Sequence, residues 1–388
     1  MMSFLFTSEA TSESCPDKLC DRVADAVLDA CLAQDADARV SCDACTKSSM
    51  VMILGEVATK ASVNYEQVIR EAVKSLGYDS DEKGLDWRTM NVIVAVEELS
   101  LEFGGGSLLG GGAAPAAPAD EAHLADPAVV CGYATDETPE LMPMSHILAT
   151  ALCTRLDSAR KKGALAWARP GGGAQVVLEY QEKPDGSVAP MSVRSLSLTV
   201  PRGPGVSPDQ VEKDLMEHVV RPTLPGGLCN ATEYRFPDPT KQPRSDVGMS
   251  GKRLGADTYG GWGLQMGAGS CGRDASKVSR SATYGARWVA QSLVAAKLCK
   301  RAAVQIGYAS GSADPVSVSV NTYGSSKACG GRSDADLAEL VRKSFDLRPA
   351  SLGRKLYLKG VQYQRLSAYG HFGRTDLELP WEKPLDLK

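Results

Sequence analysis

The chain has 388 residues, 43% hydrophobic and 23% charged, the balance of a soluble globular protein long enough for two or three domains. A net charge of −4 argues against bulk nucleic-acid binding, and no apolar run approaches the roughly 20 residues of a membrane span. Eleven cysteines without framework spacing fit a reducing compartment, and MMSFLFTSEA lacks a signal-peptide pattern, so the protein reads as cytoplasmic.

The opening TSEATSESCPDK leads into a helix whose apolar positions Leu19, Val23, Val27, Leu28 and Leu32 recur at helical spacing. Pro16 suits its first turn, and Asp17 sits where the helix dipole favours an acid. Strands are expected at about 39–45 and 50–57, joined by a polar turn over 46–49, then an amphipathic helix at 65–76 and a strand at 90–96. That order predicts an α+β unit with one sheet face covered. Cys42 and Cys45 form a C-x-x-C, but no second pair or histidine lies at zinc spacing, and both fall on a strand.

From 104 to 127 the composition changes to GGGSLLGGGAAPAAPADEAHLADP, which buries too little apolar surface to offset its ordering entropy. It separates an N-terminal domain (1–103) from a central domain (128–241), as a loop or linker over 104–127. The central domain is expected to hold a helix at 145–161, strands at 175–180 and 192–200, and a helix near 208–220. A C-terminal domain (242–388) should carry a helix at 279–299, strands at 304–309 and 316–322, and a helix at 333–345 capped by Ser333 with Asp336.

Residues 248–284, GMSGKRLGADTYGGWGLQMGAGSCGRDASKVSRSATY, have a polyphosphate-binding composition, with cations around a glycine-rich run that leads into a helix. Gly267, Gly269 and Gly272 satisfy G-x-G-x-x-G, yet no acid follows between 275 and 313, as a dinucleotide fingerprint requires. Arg273 and Asp274 stand where a Walker loop needs Lys and Ser/Thr. Six Lys/Arg in the acid-free span make it locally positive or simply a solvated face.

DTYGGWG (257–263), the K-V-x-R-S-A-x-Y tail (277–284), YGHFGR (369–374) and VVCGYATDET (129–138) resemble blocks of the S-adenosylmethionine synthetases, in the same order. The resemblance implies three similar sheet-plus-helix domains around a pseudo-threefold axis, and a homodimer or dimer of dimers that packs sheet faces and shares active sites. It implies ATP and L-methionine as substrates, with Mg2+ and K+ as cofactors. Asp17 then matches a magnesium ligand with Lys18 beside it, Lys277 a phosphate contact, and Lys252-Arg253 an Arg-Lys pair in reversed order. Asp246 matches an aspartate that contacts nucleotide and methionine, Glu56 a methionine-binding glutamate and Asp126 the aspartate of a GAGDQG motif. Asp43 replaces a glutamate associated with potassium.

The departures fall at the triphosphate end. Cys15 replaces a histidine that donates to the leaving oxygen, Gly173 a phosphate-binding lysine, Ser279 a magnesium-binding aspartate and Arg273 a lysine. The DQG triplet reads Asp126-Pro127-Ala128, and Gly105 stands for the lid glutamine. Two readings stay open: a methionine adenosyltransferase with impaired catalysis, or an inactive paralogue with a regulatory role in a hetero-oligomer with an active homologue. A third, with Cys15 as nucleophile toward another nucleoside, rests only on the helix N-terminus.

Overall fold

Ten residues without clear apolar alternation form the first strand, β1 (Met2–Thr11), in a computed structural model that describes residues 2–99, 127–237, 239, 246–263 and 269–387. Its inward positions are Phe4, Phe6, Ser8 and Ala10, while Leu5 points out at 61% exposure. Buried Ser8 is satisfied by donating to the Gly260 carbonyl at 2.8 Å and pairing with the Ser145 hydroxyl at 2.8 Å. A strand whose core face mixes rings with small residues carries a weak period-2 signal.

Helix α1 (Pro16–Leu32) follows, with Pro16 in its first turn as the sequence requires. Next come β2 (Arg39–Lys47), β3 (Met50–Ala58) and α2 (Tyr65–Ser75). A short hairpin, β4 (Asp79–Ser80) and β5 (Leu85–Asp86), leads to β6 (Asn91–Glu98). The expected segment 104–127, with Gly105 and Asp126, lies outside the described residues except for Pro127.

The chain resumes with β7 (Ala128–Thr135), α3 (Met144–Lys161), β8 (Gly173–Glu182) and β9 (Val188–Thr199). Helix α4 (Pro208–Leu215) widens into a π turn over Met216–Val220, and a short β10 (Glu233–Arg235) follows. After β11 (Gly248–Met249) and α5 (Leu254–Asp257) come α6 (Val278–Ala295), β12 (Arg301–Tyr308) and β13 (Ser317–Asn321). Helix α7 (Asp334–Ser344) has the expected capping box between Ser333 and Asp336. Two short helices, α8 (Pro349–Lys355) and α9 (Tyr363–Leu366), have no counterpart in the sequence reading.

Three sheets result, ordered β1-β8-β9-β10, β11-β2-β3-β6 and β13-β12-β7. Each borrows a strand that is distant in sequence. β1 pairs antiparallel with β8, β11 adds Gly248 and Met249 beside Thr46 and Cys45, and β7 pairs antiparallel with β12. α1 and α2 pack under the β2-β3 sheet, α3 under β1 and β8, and α6 under β7 and β12.

Alternation sets what each sheet face offers. On β2 and β3, Val40, Cys42, Ala44, Val51, Ile53 and Val57 face the helices and are buried. Cys42 and Cys45, an odd number of residues apart, therefore point to opposite faces and cannot chelate one ion. Ser41, Asp43, Cys45, Met52, Leu54 and Glu56 form the other face, which no described element covers.

α6 lies directly on β7 at Gly132, where an added Cβ would stand 2.0 Å from the backbone oxygen of Ala286. Gly132→Ala should force helix and strand apart and destabilise the protein by roughly 1–3 kcal/mol, read as a lower urea midpoint.

Candidate functional site

One face of α1 carries an acid every fourth residue, Asp17, Asp21, Asp25 and Asp29, and positions four apart lie above one another on a helix. Each carboxylate accepts backbone N–H groups from the C-terminal part of the chain. Asp17 receives Met249 at 3.2 Å, Asp21 receives Gly251 at 2.8 Å and Asp25 receives Gly272 at 2.7 Å. Asp29 receives Tyr363 at 2.8 Å and Gln364 at 2.9 Å.

Cations complete the row. Arg253 Nε donates to Asp17 at 2.8 Å, Lys18 Nζ to Asp21 at 2.9 Å and Arg280 Nη2 to Asp25 at 2.6 Å. Lys18 also donates to Asp257 at 2.5 Å, and the Arg280 guanidinium lies over the Tyr363 ring at 4.2 Å from its centre. Burial opposes the charge on Lys18, but Asp21 and Asp257 outweigh it and hold its pKa above the ordinary lysine range. Burial likewise raises the Asp257 carboxyl, with Lys18 opposing. The stripe thus holds residues 249–253 on the first turns of α1, at Asp17 and Asp21, and Gly272 and Arg280 beside Asp25.

The expected site residues fall into separate environments. Cys15 is the N-cap of α1, with Arg253 and Asp17 nearby; burial raises its thiol pKa, Arg253 opposing, so the thiol stays protonated. Asp17 is buried and already engaged, and Lys18 is only 2% exposed, its ammonium spent on two carboxylates. Arg253 is partly exposed and reaches toward Glu9 as well, at 3.9 Å.

On the open sheet face, Arg273 grips Asp43 with both carboxylate oxygens, Nη1 to Oδ1 at 2.9 Å and Nη2 to Oδ2 at 2.7 Å. Burial works against the Asp43 carboxylate, but these bonds outweigh it and keep its pKa below the ordinary value. Glu56 sits on the same face, one turn of the pleat beyond Leu54, and is half-buried. Asp246 is exposed, bonded to Lys47 and to Ser48 Oγ at 2.7 Å, and these partners lower its pKa to about 2.

Lys252 and Lys277 are exposed, Lys277 as the N-cap of α6. Ser279, on the first turn of α6, lines a cavity of about 270 Å3 together with Val129, Cys131, Asp257, Tyr259 and Phe372. Gly173 pairs with Thr11 at the end of β8, where an added Cβ would lie 2.9 Å from the Ala10 oxygen. Asp126 lies outside the described residues.

The apolar stripe of α1 gives Asp21, Asp25 and Asp29 no role, Asp257 enters only through the DTYGGWG block, and Arg280 only as one cation of the polyphosphate-binding composition. The signal is present as acids at i, i+4 and i+8 on a helix whose remaining residues are mostly Ala, Val, Leu and Cys. Buried acids such as Asp21 and Asp25 need partners, and the backbone N–H groups they accept from sit more than 200 residues away.

Family models match nearly the whole chain in three consecutive pieces. They are S-adenosylmethionine synthetase, N-terminal domain, over residues 3–101; the central domain over 122–241; and the C-terminal domain over 241–383.

Asp29 supplies a pH test of the stripe. Burial pushes its carboxyl up to about 7, against the pull of the Gln364 and Tyr363 N–H groups. Between the unfolded value of about 3.9 and that folded value, the folded chain holds a proton the unfolded chain has lost, so stability should fall as pH rises through this window. Asp29→Asn should flatten that slope in denaturant titrations run from pH 4 to pH 8.

Proposed function

The chain belongs to the S-adenosylmethionine synthetase family, and from that premise we propose that it forms S-adenosylmethionine from ATP and L-methionine, releasing phosphate and diphosphate. The observation that carries this reading is the convergence of Arg253, Asp17 and Cys15 at the N-terminus of α1, with Lys252 exposed beside them. Donors and cations at a helix N-terminus suit a polyphosphate.

The thioether of methionine has no proton to lose, so attack on C5′ of ATP needs no general base. What the reaction needs is stabilisation of the departing triphosphate. Arg253, partly exposed at the Cys15 end of α1, supplies a full positive charge and hydrogen-bond donors there. Lys252 and Lys277 add exposed positive charges at the surface. The Cys15 thiol, kept neutral by burial, is a weak donor where the resemblance expects an imidazole.

Mg2+ takes one or two carboxylates together with substrate phosphates. Asp17 would hold it only if Arg253 Nε left its Oδ2, since Oδ1 accepts from the Met249 N–H, and Ser279 offers a hydroxyl and no charge. When bound, the ion would neutralise phosphate charge as the leaving group departs.

Removing one preorganised donor costs about 2.7–4 kcal/mol of barrier, so a neutral Cys15 and Ser279 together lower the rate by orders of magnitude. The purified protein should form product slowly, visible in a single-turnover assay with ATP, L-methionine and Mg2+. Cys15→His with Ser279→Asp should raise that rate at least about a hundredfold. Gly173→Lys is the less clean restoration, because its Cβ meets the Ala10 carbonyl. No product from either folded protein would leave the regulatory paralogue as the better reading.

The uncovered sheet face supports a dimer. Leu54, Ile93 and Met249 are 40%, 43% and 48% exposed there, beside Asp43, Glu56 and Arg273. We infer that a second copy covers it and brings those polar groups to a shared, cytoplasmic active site; among the described residues no helix is long and apolar enough to cross a membrane. Leu54→Lys with Ile93→Lys should turn a dimer into a monomer by light scattering.

A further inference from the structure

The potassium that the resemblance attaches to the Asp43 position does not fit the donors found there. A potassium ion is held by oxygens that replace its hydration shell. Here such a set of oxygens exists, and a guanidinium already fills it. Arg273 Nη1 donates to the Cys42 carbonyl at 2.7 Å, to Asp43 Oδ1 at 2.9 Å and to the Cys271 carbonyl at 3.2 Å, and Nη2 donates to Asp43 Oδ2 at 2.7 Å. Ser250 Oγ donates to Asp43 Oδ1 at 2.8 Å and itself accepts from the Ala44 N–H at 3.1 Å. Both lone-pair-bearing ends of the carboxylate are thus committed within the chain.

The guanidinium is also tethered from behind. The Arg273 carbonyl accepts from Arg280 Nε at 2.9 Å, and its backbone forms an antiparallel bridge to Ser41. The preceding Gly272 is held twice, its N–H on Asp25 at 2.7 Å and its carbonyl on the Cys42 N–H at 2.9 Å. Gly272 has φ +69° and an added Cβ would stand 2.0 Å from the Cys42 oxygen, so only glycine lets the strand and this turn approach closely enough. The side chain of Arg273 therefore enters the oxygen set from a fixed root. A planar fork with a permanent charge suits two carboxylate oxygens better than a point charge does.

We propose that Arg273 is a built-in substitute for a monovalent cation, and that the protein works without potassium. One consequence is a division of labour among the cations. With its fork turned onto Asp43, Cys42 and Cys271, Arg273 positions the open sheet face and acts as a positioning residue. Contact with phosphate then falls to Arg253, Lys252 and Lys277. The activity arm of the test rests on the reaction proposed above, whereas the binding arm stands on this geometry alone.

The experiment compares potassium chloride with tetramethylammonium chloride at equal ionic strength, on the full-length wild type, Arg273→Ser and Arg273→Lys. The wild type should melt at the same temperature and turn over at the same rate in both salts. Arg273→Ser empties the oxygen set, and should gain a melting-temperature rise of a few degrees in potassium alone and about tenfold stimulation of product formation by it. Arg273→Lys, which returns a point charge, should lose that response again. A potassium-dependent rise in the wild-type melting temperature overturns the proposal, and this comparison decides the matter even if Arg273→Ser does not fold. A folded Arg273→Ser indifferent to potassium overturns it as well. Absence of product in every salt removes the proposed reaction, and the melting comparison still decides the cation question.

Discussion

Four carboxylates on the buried face of α1 hold the C-terminal half of the chain in place. Asp17, Asp21, Asp25 and Asp29 together accept five backbone N–H groups, from Met249, Gly251, Gly272, Tyr363 and Gln364. Of the three donors between 249 and 272, Gly251 and Gly272 lie outside any strand or helix and Met249 is in the two-residue β11, so their N–H groups find partners on α1. These hydrogen bonds offset part of the cost of burying the acids. Lys18, Arg253 and Arg280 supply the compensating charge. Removing one partner of a pair as enclosed as Asp25 and Arg280 typically costs about 3–5 kcal/mol, because the other charge is left stranded.

The same interactions set the chemistry of the site. Several residues that the family resemblance assigns to substrate or metal already have protein partners: Asp17 with Arg253, Lys18 with Asp21 and Asp257, Asp43 with Arg273, and Asp246 with Lys47. They differ in how far they are committed. Lys18 is enclosed and held from two sides, so its charge is structural. Arg253 is partly exposed, meets Asp17 through Nε and reaches Glu9 only loosely through Nη1, so its fork can turn to an anion. Exposed pairs such as Lys47 with Asp246 are screened by water and open readily to a competing ligand.

Periodicity was enough to find most elements of the fold. α1, α2, α3, α6 and α7 have apolar positions at helical spacing, and Ser333 with Asp336 marks the start of α7 through a local capping box. β1 escaped because its core face includes Ser8 and Ala10 while Leu5 points to solvent. α8 and α9 escaped because four to seven residues are too few to display a 3.6-residue period. The candidate site was legible as a set of positions, from Cys15 through Asp43 to Ser279, and its departures from the family pattern were legible with it.

What the sequence by itself determined is therefore everything carried by short-range order: the elements with a clear period, the ordered family blocks, and the substitution of histidine, lysine and aspartate by Cys15, Gly173 and Ser279. Tertiary structure alone decided which charge meets which. Arg273 reaches Asp43 across 230 positions and Gly272 reaches Asp25 across 247, and no local spacing encodes such a contact. The physical reason lies in the sheet topology. β11 joins β2 and thereby carries residues 248–253 onto α1, so the partners of the acid stripe are fixed by strand pairing and close packing at Gly272, not by anything in the helix that bears it.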